Sequence, residues 1–213
     1  MCEKTSNSVE HAPPKCIFPE LKDVSDDIKR RDNLIKVPSC YEHNSKKSKD
    51  DEYLLYILST SITSNKVGHS QALTKVRRAA ERKPELINNL SKRASVTSFT
   101  NFNTDEKIDA VAIFLDGDRI NSVLEKCARA IYFHAFSKKF TGAAKVINGF
   151  LTHIQEDSEK KLQAFIDMEN IFNLYPYFGE HPDVFKYKVI HLDNSAMFLL
   201  EFYGTSKAIV DLR

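Results

Sequence analysis

RDNLIKVPSCYEHNSKKSKDDEYLLYILSTSI (31–62) contains two kinds of local order, and their succession sets the expectation for this end of the chain. LIKV (34–37) is short, apolar and partly β-branched, which favours an extended segment. Ser48 can cap a helix whose first turn carries Asp50, Asp51 and Glu52, acids that favour the positive end of a helix dipole. The apolar face of that helix is Leu54, Leu55, Leu58 and Ile62, and the spacing predicts a helix to about residue 63. A strand leading into a helix is therefore expected. Upstream, residues 1–47 hold four of the seven prolines and three of the four cysteines with little helical periodicity, so loops and short strands are expected there.

Downstream, residues 66–94 set Lys75, Arg77, Arg78, Arg82, Lys83, Lys92 and Arg93 among apolar residues at helical intervals, with an interruption at Pro84. The formal charge is −1 over 1–65, +6 over 66–103 and −3 over 104–213, so the basic character is local. SVTSFTNF (95–102) favours extended structure, and AVAIFL (110–115) reads as a strand. From Asp116 or Asp118 to about residue 137, Val123, Leu124, Cys127, Ala128, Ile131, Tyr132 and Ala135 form one apolar stripe, which predicts a core helix. Residues 143–173 look mainly helical. FKYKVIHL (185–192), SAMFLLEFYG (195–204) and KAIVDL (207–212), separated by Asp193-Asn194 and Gly204-Thr205, have the pattern of an antiparallel meander. The fold class expected is α+β, divided into a small unit at 1–65 and a larger α+β body at 66–213.

A chain of 213 residues with 42% hydrophobic and 28% charged residues can bury a substantial core and is too mixed to be a disordered tail. No apolar run reaches the ~20 residues of a spanning helix. The first thirty residues carry Glu3, Lys4, Glu10, Asp23 and Asp26 where a signal peptide needs an apolar block. A cytoplasmic protein with no membrane partner is expected. Four cysteines are too sparse for a disulfide scaffold, which leaves reduced thiols or metal ligands.

The residues that carry chemistry lie between 10 and 53. Glu10-His11-Ala12-Pro13-Pro14-Lys15 is followed by Asp32-Asn33-Leu34, by Cys40-x-x-His43-Asn44, and by Ser48-Lys49-Asp50-Asp51-Glu52-Tyr53. In this order the elements resemble the HNH, or ββα-metal, endonuclease family over about residues 2–62. The resemblance implies a ββα-metal nuclease unit, with Glu10 and His11 on strand one, Asn33 near strand two, and Asn44 at the helix opening. It implies His11 and Asn33 as catalytic residues and Glu10 and Asn44 as ligands of one Mg²⁺ or Mn²⁺ ion. Many members of the family also hold a structural zinc with two Cys-x-x-Cys pairs. Here Cys2, Cys40 and His43 are the candidate zinc ligands, and Cys16 is an irregularly placed fourth.

The chemistry asks for such residues on its own account. Phosphodiester hydrolysis needs a base near neutrality to take a proton from water, and a cation where negative charge grows on oxygen. Histidine meets the first demand. A carboxylate with a neutral oxygen ligand suits Mg²⁺ for the second. Neighbouring side chains on a strand point to opposite faces, so Glu10 and His11 serve one phosphate only where the strand twists or ends, and Pro13-Pro14 end it. Lys47 and Lys49, with Arg77, Arg78 and Arg82 of the basic stretch, are the expected phosphate contacts. The reading is a DNA endonuclease, with a bacterial defence or restriction system and a partner protein as the setting the resemblance suggests. A non-catalytic nucleic-acid-binding or partner-docking module of the same fold and an RNA-cleaving toxin are the alternatives.

Overall fold

The computed structural model describes residues 5–100, 106–151 and 158–213. Strand β1 (Ser8–His11) pairs antiparallel with β2 (Lys36–Ser39), so that Glu10 lies opposite Val37 and His11 opposite Lys36. Helix α1 (Tyr41–Thr60) follows β2 directly. It begins seven residues before the Ser48 start expected from local sequence. The cap is not local: the Asn7 side chain, beside β1, accepts a hydrogen bond of 2.8 Å from the Tyr41 amide and so satisfies one of the helix's otherwise orphaned donors. Asp50, Asp51 and Glu52 consequently sit in the middle of α1, where the dipole no longer explains them.

The loop from 12 to 35 is tied down by charge rather than by regular structure. Buried Arg30 makes hydrogen bonds of 2.6 and 2.8 Å to Asp26 and one of 2.7 Å to Asp183, between β6 and β7. Arg31 bonds the Phe18 carbonyl at 3.0 Å and Glu20 at 2.7 Å. Burying a guanidinium is costly unless its donors are used, and here the donors are what fasten the loop to the sheet.

The basic stretch is helical, as expected, but in pieces. Helix α2 (Lys66–Gln71) runs through a widened π turn (Ala72–Val76) into α3 (Arg77–Arg82), and α4 (Pro84–Ser91) restarts after Lys83 with proline at its first position. Strands β3 (Ala94–Thr100) and β4 (Lys107–Ile113) form a two-stranded ribbon, matching the extended segments expected there, while 101–102 lie outside the described residues. Helix α5 (Gly117–Phe136) starts at Asp116, whose side chain accepts from the Arg119 amide.

Residues 144–148, read as helical, form strand β5 (Ala144–Asn148), and helix α6 (Ser158–Ile171) follows only later. The meander is present as β7 (Phe185–Leu192), β8 (Ser195–Phe202) and β9 (Ser206–Leu212), with β6 (Phe178–His181) added at one edge. The five strands are antiparallel in the order β5-β9-β8-β7-β6.

Strand alternation sorts the sheet into two faces. Phe198, Leu200 and Phe202 of β8 and Ala208, Val210 and Leu212 of β9 join Ile120, Val123, Leu124, Cys127 and Ile131 of α5 and Tyr53, Leu54, Ile57 and Leu58 of α1 in one cluster. Ile190, Leu199 and Ile209, from the other face, pack with Phe165 and Phe172. The first cluster also contains Ala12, Ile17, Phe18, Leu34 and Val37, so one core crosses the position 65/66 at which a boundary was expected. Buried Tyr203 reinforces the junction: its hydroxyl donates to the Ile17 carbonyl at 2.6 Å and accepts from Gln71 at 2.9 Å. The observed class is α+β, with a C-terminal antiparallel sheet.

Candidate active site

Glu10 reaches toward α1. One carboxylate oxygen is ion-paired and hydrogen-bonded to the Lys47 ammonium, and the other accepts from the Ser39 hydroxyl at 3.3 Å. Lys47 is 3% exposed and its ammonium also lies 3.7 Å from Asp51 Oδ1, one helical turn further along α1. That oxygen is buried and makes no hydrogen bond. Expected among phosphate contacts, Lys47 is instead an internal cation between two carboxylates: the lysine run 46–49 reads as solvent-facing, but β1 covers this part of the helix.

Burial alone would lower the Lys47 pKa, yet attraction from Asp51 and Glu10 outweighs it and the net direction is upward, so the amine stays charged. Burial pushes the Asp51 carboxyl up to about 6, offset in part by Lys47 and reinforced by the negative charge of Glu10. Cys127 of α5 is fully buried beside this group, and its thiol is pushed up to about 12, mainly by burial. It behaves as an inert apolar side chain.

His11 is half-buried at the last position of β1. Its pKa is lowered from the ordinary histidine value, first by partial burial and then by the ammonium groups of Lys15 and Lys36, against a smaller upward pull from Glu10. The ring is therefore mainly neutral at pH 7 and can accept a proton. Strand alternation turns it away from the side of β1 that packs on α1, and the strand ends there.

Asn33 is exposed with φ of +53°, in the left-handed region that asparagine tolerates better than most residues. The segment that follows it is tied to the end of β1 by the Ala12 amide, which donates to the Ile35 carbonyl at 3.1 Å. A cleft of about 270 Å³ opens here, between Pro13, Asn33 and Leu34 on one side and Phe178, His181 and Tyr187 of the sheet on the other. The expected ligand Asn44 falls in the first turn of α1, and its side chain lies outside the described residues, as does that of His43. Cys2 also lies outside them. Cys40 is buried at the start of α1. The Cys16 thiol donates to the Asp51 carbonyl at 3.4 Å, so it packs on α1. Among the described residues, no group of three or more His, Cys, Asp or Glu side chains converges as metal ligands do.

Hard oxygen donors are nonetheless present near the end of β1. Glu10 and Asp51 bring two carboxylates against one ammonium, and one buried carboxylate oxygen has no hydrogen bond. Oxygen-rich, net-negative surroundings are what Mg²⁺ and Mn²⁺ take.

The basic residues divide by role. Arg78 is ion-paired at 2.6 Å to Asp23, whose side chain is completely buried, and Lys75 donates to the Cys16 carbonyl at 2.7 Å, so both fasten the 12–35 loop. Among the described residues Arg77 pairs with its helix neighbour Glu81, and it is largely exposed. Arg82 and Lys49 are exposed. Sequence reading missed the Lys47–Asp51 pair, although its i,i+4 spacing was a legible signal. Among the described residues no helix is long and apolar enough to cross a membrane. No protein family, no curated protein and no solved structure matches this chain.

Proposed function

We propose that this chain is a metal-dependent endonuclease of the ββα-metal kind that hydrolyses phosphodiester bonds in DNA. The observation that supports the reading is the position of Glu10 and His11 at the end of a strand whose antiparallel partner leads directly into α1, with Glu10 gathered against that helix and the His11 pKa held low at the strand end. In this reading Glu10 and Asn44 hold the divalent ion, which stabilises negative charge on the phosphoryl and leaving oxygens. His11 takes the proton from the attacking water at its unprotonated ring nitrogen. Asn33 acts on His11 through the loop conformation it permits.

Supercoiled plasmid incubated with the protein and Mn²⁺ or Mg²⁺ is expected to become nicked and then linear, and excess EDTA is expected to stop the conversion. Plasmid that remains supercoiled while RNA is cleaved would move the assignment to a ribonuclease; inertness toward both would refute catalysis.

The exposed side of the basic stretch is proposed to hold phosphate without reading base sequence. Replacing Arg77 and Arg82 by alanine should weaken DNA binding for all sequences alike and reduce the slope of log K against log salt by about two, one for each lost contact. The Arg78→Ala variant should differ, because it strips the partner from buried Asp23 and so lowers the unfolding midpoint in urea. An unchanged salt slope in the double variant would move the phosphate track away from α3.

A further inference from the structure

Strand β6 carries an extra residue against its partner. Phe178 lies opposite Tyr187 and His181 opposite Phe185, so three steps along β6 answer two along β7. Residues three apart on a regular strand face opposite sides of a sheet, whereas the bulge turns Phe178 and His181 to the same side, that of Tyr187 and Phe185. Gly179 makes the bulge possible. Its φ is +136°, and a Cβ there would lie 2.7 Å from the Phe185 carbonyl oxygen.

These four residues form one wall of the cleft of about 270 Å³, whose other wall begins at Ala12, the residue after His11. The rings of Phe178, Tyr187 and Phe185 stand in a row, with successive centroids 5.6 and 5.8 Å apart and planes inclined by 31° and 22°. Tyr187 and Phe185 are buried, but Phe178 is 46% exposed and leaves aromatic surface open. The two walls are fastened together: His181 Nε2 donates to the Asp32 carbonyl at 2.9 Å, and Phe18 meets the His181 ring edge-on at 6.1 Å. The cleft is smaller than the ~300–1,000 Å³ that hold drug-sized ligands, which suits a single ring system.

Charge points to the occupant. Lys15 and Lys36 are exposed and close enough to the His11 ring for both to depress its pKa. A cationic strand end beside an aromatic cleft matches a nucleotide, which joins an anionic phosphate to a planar base. A base inside a duplex is stacked and paired, so it cannot enter unless it is unpaired or extruded. We propose that this cleft takes one unpaired nucleobase of a DNA strand, stacked on Phe178, while Lys15 and Lys36 hold the adjoining phosphate at the end of β1. Asn33, which lines the cleft and is exposed, offers an amide donor and a carbonyl acceptor to the edge of the base. The inference rests on the endonuclease reading for the phosphate beside His11, and it adds the strand state of the substrate.

The test is calorimetric titration of the whole chain in EDTA, so that no strand is cut. The probes are a short single-stranded oligothymidylate, a strand of the same length and charge built from abasic deoxyribose phosphates, and the duplex of the first with its complement. Wild type should bind the thymidine strand about tenfold more tightly than the abasic one, the scale of one base stacked on one aromatic ring. Phe178→Leu keeps an apolar side chain and every charge. It should weaken binding of the thymidine strand by the same factor and leave the abasic strand and the duplex as they were, while Phe178→Trp should retain the preference; circular dichroism checks each form. Equal wild-type affinity for the two single strands, binding of neither, or a Phe178→Leu variant that keeps the wild-type preference would overturn the base site. A duplex weakened by Phe178→Leu as much as the thymidine strand would overturn the unpaired base. A protein that keeps the thymidine preference but leaves plasmid and RNA intact when metal is supplied would lose the endonuclease reading and retain the base site.

Discussion

Replacing His11 by alanine is expected to lower the single-turnover rate of plasmid nicking roughly 10²–10⁴-fold, the range seen when a positioned general base is removed. The effect should fall on the chemical step. His11 stands at a strand end, half-buried, and its ring forms no part of the main core, so fold and DNA affinity should be retained. Gel-shift affinity and the circular dichroism melt, measured on the same preparation, separate a lost base from a lost fold. Full activity in this variant would remove His11 from the mechanism and leave no base in the proposed site.

The second large effect is on stability. Lys47→Ala removes the only cation paired with Glu10 among the described ion pairs and leaves that carboxylate facing Asp51 in a mostly buried setting. Breaking a buried pair from one side typically costs about 3–5 kcal/mol, a large fraction of the stability of a domain this size. Urea denaturation followed by circular dichroism should show that loss. A change below ~1 kcal/mol would mean that Lys47 behaves as a solvated surface lysine.

Sequence reading succeeds where the order of an element is local and stops where it comes from distant partners. The C-terminal strands β7, β8 and β9 were legible because each carries its own alternation and a turn at Asp193-Asn194 or Gly204-Thr205, information contained within a few residues. Helix α5 was legible for the same reason, having both its cap at Asp116 and its apolar stripe in local sequence. The start of α1 was not, because its capping acceptor, Asn7, comes from 34 residues away. Strand β5 was not, because a five-residue edge strand draws its order from pairing with β9, which comes only after helix α6 and strands β6, β7 and β8.

The same division runs through the site. The order of Glu10, His11, Asn33 and Asn44 was readable, and the β1–β2–α1 arrangement brings Glu10 against the helix that carries Asn44, while His11 faces away from it. That Lys47 faces inward and Arg78 holds Asp23 was hidden, since a lysine or arginine in a charged run reads as solvent-facing until the covering segment is known.

The most direct test of the central claim is the pH dependence of single-turnover plasmid nicking in the wild type and in the Lys36→Ala variant. A base must be unprotonated to act, and partial burial with Lys15 and Lys36 lowers the His11 pKa. The wild-type rate should therefore rise with pH through a midpoint below the ordinary histidine value of about 6.5 and level off by neutrality. Removing Lys36 takes away one of the charges that favour the neutral ring, so the midpoint in Lys36→Ala should move upward toward 6.5. A midpoint that does not move, or a rate that shows no histidine-range titration at all, would contradict the account.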